Sequence, residues 1–189
     1  MHLQTNDPRV RFPAQPPISL QLFTLRREAD ADLRSVLRWI AEVGFVGVEL
    51  PGLHHAEFAN RFDGRSAYEI LVEQLDERVM LELDIYWAAV GGADPATVLR
   101  GLGGRARFVH VKDGPLDPAE PMTAVGAGRV DVVDALTASD AVAWHIVEID
   151  RVEGDMRAAV VDSYRYLVEA GLSRGRQAHG KTRRNHSVR

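Results

Sequence analysis

Apolar and polar residues alternate along this chain in blocks that switch period five times. Ile18 to Leu25, ISLQLFTL, reads as a strand with Leu20, Leu22 and Thr24 on one face. Asp30 or Asp32 can cap the helix that follows, in which Leu33, Val36, Leu37, Ile40 and Ala41 recur at helical spacing up to Gly44. Phe45 to Leu50 is a second strand, closed by Glu49 and then Pro51-Gly52. Residues 53–64 show no period and read as a loop. Ser66 and Glu69 form a capping box ahead of a helix from Ala67 to Leu75.

The stretch from Val79 to Gly114 organises the rest. An apolar run, Val79 to Leu83, ends on Asp84. Asp94 and Pro95 are a good N-cap and first helical residue, and Gly103-Gly104 stop that helix. Phe108 to Val111 is a further strand, carrying His110 and followed by Lys112 and Asp113. The loop from Asp113 to Arg129 is long, and such loops after strands are often functional. A short helix, Val130 to Ala138, precedes the last strand, Val142 to Ile149. The last helix runs from Asp155 to Ala170 and is closed by Gly171.

Five strands in strict alternation with helices predict an α/β fold with a parallel sheet, open or part of a barrel. Polar residues then collect at the C-terminal ends of the strands, where α/β proteins place their chemistry. Glu49, Asp84, His110 and Glu148 each end a strand. Alternation puts Glu82 with Asp84, His110 with Lys112, and Glu148 with Asp150. A lone acid there often only caps the next helix. Repetition at four strand ends favours a shared site for Mn²⁺, Mg²⁺, Co²⁺ or Zn²⁺. His145 alternates away from Glu148 and reads as a packing or surface histidine. His54 and His55 fall in the loop.

Composition narrows the classes. The 189 residues are 46% hydrophobic, enough for one domain with a real core. No apolar run approaches the ~20 residues of a membrane span. The first 16 residues form a polar lead-in without a signal peptide's apolar core. There is no cysteine, so disulfides and thiolate zinc sites are excluded and a cytoplasmic home is expected. Net charge is −4, yet Arg176, Lys181, Arg183, Arg184 and Arg189 make residues 176–189 wholly basic. That stretch reads as a disordered tail, and the body is more acidic than the net figure, which argues against a nucleic-acid groove. The first turn, LRREAD, lacks glycine, so a Rossmann dinucleotide site is not expected.

ELDIYW, GGADP, FVHVKDG, VGAGRVD, HIVEID and SYRYLVEAGL occur in an order that resembles the sugar phosphate isomerase/epimerase family, the xylose-isomerase-like TIM barrels. The resemblance covers residues 17–175. It implies a sugar substrate, a divalent metal, and isomerisation or epimerisation by metal-assisted proton transfer through an enediolate. It makes Asp84, His110 and Glu148 three of four metal ligands. HHAEF, His54 to Phe58, resembles the end of the fifth barrel strand, so Glu57 stands for the fourth ligand and for a catalytic partner of Glu148. Lys112 would neutralise developing negative charge, and Trp87 and His55 would contact substrate.

VGVELPG resembles the second barrel strand and HHAEF the fifth, with nothing between them. This reads as an internal deletion that leaves an incomplete barrel of about five strands. The strand ending in Glu49 is then expected to pair with the one ending in Asp84, giving an open or gapped sheet. Alternatives are a non-catalytic remnant or partner-dependent subunit, self-associating through open edges, and an inosose-type dehydratase.

Overall fold

A computed structural model describes residues 15–49, 61–62, 64–74, 77 and 80–176. The chain runs through β1 (Ile18–Gln21), α1 (Arg26–Val43), β2 (Gly47–Glu49), β3 (Arg61–Phe62), β4 (Arg65–Ser66) and α2 (Ala67–Gln74). It continues through β5 (Leu81–Asp84), α3 (Ile85–Val90), α4 (Pro95–Leu102), β6 (Ala106–Val111), α5 (Val132–Thr137), β7 (Trp144–Val147) and α6 (Met156–Glu169). Five strands make one parallel sheet in the order β2-β1-β7-β6-β5, so the expected incomplete α/β barrel is the fold. β3 and β4 form a separate antiparallel hairpin at the end of the stretch that reads as loop and just before the helix, where Ser66 is the expected cap.

The pairing expected for the second strand is overturned. β2 pairs with β1, Gly47 opposite Ser19 and Glu49 opposite Gln21, and not with β5. β2 and β5 are instead the two edges of the sheet. The closing strand β7 lies between β1 and β6, so the break in the wall falls between β2 and β5. An eight-stranded barrel has no edges; here the sheet curls without closing.

Several boundaries also move. The first strand stops at Gln21, and Leu22–Leu25 forms a 3₁₀ turn whose N-cap is the Gln21 side chain. α1 begins at Arg26, before either expected cap, but it kinks at Asp32 (φ −155°, ψ 84°). There the Asp32 carboxylate accepts from Ser35 N at 3.1 Å and caps the second half, as its side chain predicts. Of the apolar positions in α1, Val36 and Ile40 are buried, whereas Leu33 and Leu37 stay exposed. α3 is a helix the sequence pattern did not signal. Asp94 caps α4 as expected, accepting from Ala96 N and Thr97 N.

The core lies between the outer face of the sheet and the helices. Ile18, Leu20, Val109, Val111 and Val147 are fully buried there, against Leu99, Val160 and Leu167. Burying each such side chain stabilises by about 1.5–3 kcal/mol. α1 and α6 are tied by the Arg157–Glu28 ion pair, with the guanidinium stacked 4.7 Å over the Trp39 ring. The inner face is different. Phe108 on it is 39% exposed, because the strands that would cover it are absent among the described residues.

Candidate active site

The strand ends deliver their polar residues to one place. Asp84, His110 and Glu148 each offer one ligand atom, and these atoms lie within 4.8 Å of one another. His110 Nδ1 is 3.2 Å from Glu148 Oε2 and 3.8 Å from Asp84 Oδ2. Asp84 also caps α3, its Oδ1 accepting from Trp87 N at 2.9 Å. The helix-capping role and the site role thus sit on the two oxygens of one carboxylate.

Lys112 is the buried cation of the site. Its Nζ is 2.9 Å from Glu148 Oε2, 3.2 Å from Asp84 Oδ2 and 3.0 Å from Asp150 Oδ1. Lys112 Nζ donates a hydrogen bond to Asp150 Oδ1, while Asp84 Oδ2 and Glu148 Oε2 face the ammonium as ion-pair partners without a well-aligned hydrogen bond. Burial opposes the ammonium charge, but Asp84, Glu148 and Asp150 outweigh it and raise the lysine pKa. Burial likewise opposes the Asp84 charge, and the contacts to His110, Lys112 and Trp87 N hold that carboxyl below its ordinary range.

His110 has a second set of partners. Its Nε2 is 3.2 Å from Glu49 Oε1 and 3.3 Å from Glu82 Oε1. Glu49 comes from one edge strand and Glu82 from the other, so their side chains meet across the gap. Gln21 Nε2 donates to Glu49 Oε1 at 2.5 Å. Burial, with help from Glu49 and Glu148 and against His110, pushes Glu82 up to about 7. For His110 burial disfavours the charged ring, but Asp84, Glu49, Glu82 and Glu148 override it and push the pKa up to about 10. A cavity of about 420 Å³ opens below these acids, lined by Gly47, Phe108, Trp144 and Ile146.

The donor set fits a divalent ion. Two carboxylates and one imidazole are hard-to-borderline ligands at metal-site spacing. Two of their oxygens are buried with no aligned hydrogen bond, facing the Lys112 ammonium and the His110 ring. The acids Glu49, Glu82, Asp84, Glu148 and Asp150 outnumber the cations Lys112 and His110, leaving negative charge for an ion to balance.

Trp87 is half-buried, edge-on to Tyr86 at 5.2 Å. Glu57 and His55 lie outside the described residues. His145 is buried on the opposite face of β7, its Nδ1 2.8 Å from Ser173 Oγ. Gln21 is the site residue that sequence reasoning passed over. Its signal was alternation, since Leu20 and Leu22 claim the other face of β1.

No protein-family model matches the sequence, and no curated protein matches it. Solved structures do. A sugar phosphate isomerase/epimerase from Parabacteroides distasonis superposes with a TM-score of 0.69 at 15% identity, covering 85% of this chain and 96% of its own. A second sugar phosphate isomerase/epimerase from that organism gives 0.54 at 19% identity, covering 80% of this chain and 55% of its own. A xylose isomerase domain protein from Alicyclobacillus acidocaldarius gives 0.47 at 16% identity, covering 82% of this chain and 63% of its own. At these identities the likeness is one of fold: this chain has the TIM-barrel fold of the sugar phosphate isomerase/epimerase structures, in an open, five-stranded form.

Proposed function

We propose that the chain is a metal-dependent sugar isomerase or epimerase. The observation that carries this reading is the convergence of Asp84, His110 and Glu148 beside the buried Lys112, at the C-terminal ends of parallel strands. Asp84, His110 and Glu148 would hold the ion. When bound, a divalent ion would polarise a substrate carbonyl or hydroxyl. The Glu148 carboxylate takes a proton from the carbon α to the carbonyl, and the electron pair of that C–H bond moves into an enediolate. Lys112, fixed by its three carboxylate partners, offsets the negative charge that grows on the substrate oxygens. Return of the proton to the neighbouring carbon, with the hydroxyl proton passing from its own oxygen to the former carbonyl oxygen, completes an isomerisation. In an epimerisation Glu148 would keep the proton it took, and Glu57 as the second acid would deliver its own to the opposite face of the same carbon. Trp87 supplies an apolar wall for the sugar ring and His55 a polar contact.

The test is keto-sugar isomerisation in deuterated water with added Mn²⁺. Deuterium should enter the substrate carbon skeleton, and Glu148→Gln should slow this by about 10²–10⁴-fold, the usual worth of a positioned acid/base. A wild-type protein that exchanges no carbon-bound hydrogen would remove the enzyme reading.

The second reading, a partner-dependent subunit, is favoured by β2 and β5 being sheet edges among the described residues. It requires exchange activity only when a second chain is bound.

A further inference from the structure

The His110 ring is engaged on both edges. Nδ1 faces Glu148 and Asp84, at 3.2 and 3.8 Å, and Nε2 faces Glu49 and Glu82, at 3.2 and 3.3 Å. A neutral imidazole offers one lone pair and carries its proton on the other nitrogen. Only one edge can therefore bind an ion. The Nδ1 edge is the drier: the side chains of Glu148 and Asp84 are 5% and 12% exposed, against 28% and 34% for Glu49 and Glu82. Its facing oxygens, Asp84 Oδ2 and Glu148 Oε2, are buried and balanced by the Lys112 ammonium at 3.2 and 2.9 Å without an aligned hydrogen bond; Glu49 Oε2 on the other edge is also buried without one. On the Nε2 edge, Glu49 Oε1 already accepts from Gln21 Nε2, and Gln21 is itself 2% exposed.

We infer that Glu49, braced by Gln21, is a positioning residue that accepts Nε2–H of His110 and aims Nδ1 at the Asp84–Glu148 pair. Ligating histidines commonly donate their second ring N–H to a carboxylate, which fixes the tautomer and the ring plane. Here that carboxylate belongs to an edge strand, β2, that shares no ladder with β6. One side-chain contact across the gap then does for His110 what a continuous wall would do through neighbouring strands.

This inference rests on the metal-binding part of the proposed function and not on turnover. The test uses the full chain labelled with ¹⁵N-histidine and loaded with Zn²⁺. Long-range proton–nitrogen spectra should show His110 with zinc on Nδ1 and a proton on Nε2. Glu49→Leu should weaken Zn²⁺ binding about 10–100-fold. Glu49→Gln, whose amide oxygen still accepts, should recover most of that loss. Should Glu49→Leu fail to fold, Gln21→Leu leaves Glu49 in place but removes its brace, along with the cap that Gln21 Oε1 gives Phe23 N, and should weaken binding several-fold. Zinc on Nε2, unchanged affinity in a folded Glu49→Leu or Gln21→Leu protein, or no zinc binding by the wild type would each overturn the inference. Zinc on Nδ1 in a protein that shows no carbon-bound exchange would leave it standing and sink the isomerase reading alone.

Discussion

Lys112 Nζ lies 2.9 Å from Glu148 Oε2, and the lysine side chain has no solvent exposure. An ammonium so placed is stable only because three carboxylates face it. Those carboxylates depend on it in turn. Removing one partner of a buried charge cluster costs about 3–5 kcal/mol, since the remaining charges lose their balance. Lys112→Met should therefore lower the stability of the metal-free protein by about that amount in urea denaturation. Added Mn²⁺ should restore part of it. A loss under about 1 kcal/mol, the scale of a solvent-exposed pair, would show that the cluster is hydrated.

His145 should make the protein acid-sensitive. Burial pushes its pKa down to about 4, and Nε2 is buried without a partner. The unfolded chain titrates histidine near ~6.5. A histidine kept neutral in the fold contributes its full stability above ~6.5 and loses it as pH falls through that value towards 4. The loss should reach about 2–3 kcal/mol. Denaturation curves between pH 7 and 4.5 should show it, and His145→Gln should flatten the dependence. An equally steep variant would assign the slope to other groups.

Asp113 organises the loop that follows β6. It is 1% exposed, and its carboxylate accepts from the backbone N–H of Gly114, Gly126, Gly128 and Val130, at 2.8–3.1 Å. A Cβ on Gly128 would stand 2.1 Å from Asp113 Oδ1, so the approach requires glycine. Asp113→Ala strands four donors and should cost at least about 3 kcal/mol, with Gly128→Ala also strongly destabilising. Thermal melts would check both. A small effect would mean that water replaces the carboxylate.

The edges of the sheet should promote self-association. Among the described residues β2 is a sheet edge, and Val46 just before it and Val48 within it are 43% and 40% exposed. Exposed apolar edges invite pairing with another chain, and a lysine blunts them. Sedimentation of the wild type should show concentration-dependent association, and Val48→Lys should shift it towards monomer. A wild-type monomer at all concentrations would count against the edge as an interface.

The parallel sheet and the meeting of Asp84, His110 and Glu148 were legible because both follow from local rules. Helical and strand periods give βα units, and alternation sends 82 and 84, 110 and 112, 148 and 150 to common faces. Glu49 was legible as one of four strand-end groups, but its direct contact with His110 across the gap was not. It depends on how far the sheet curls, which no local period encodes. The misplacement of β2 has a related cause. Strands consecutive in sequence usually neighbour each other. That rule predicts β2 beside β5 only if the intervening helix can draw them together, whereas β2 keeps its ladder to β1 and β5 keeps its ladder to β6. The two roles of Asp84 show a further limit. Capping and a site role read as rivals in the sequence, and one carboxylate has an oxygen for each.

The strand order also sets a timetable for synthesis. β1 is made first, yet the neighbour that joins it to the rest of the sheet is β7, more than a hundred residues later. Until Trp144–Val147 has left the ribosome, β1 and β2 can pair only with each other, and β5 and β6 only with each other. The nascent chain therefore carries two half-sheets with Glu49 on one and His110 on the other. The site assembles only when the last strand locks them together, a long-range closure of the slow kind.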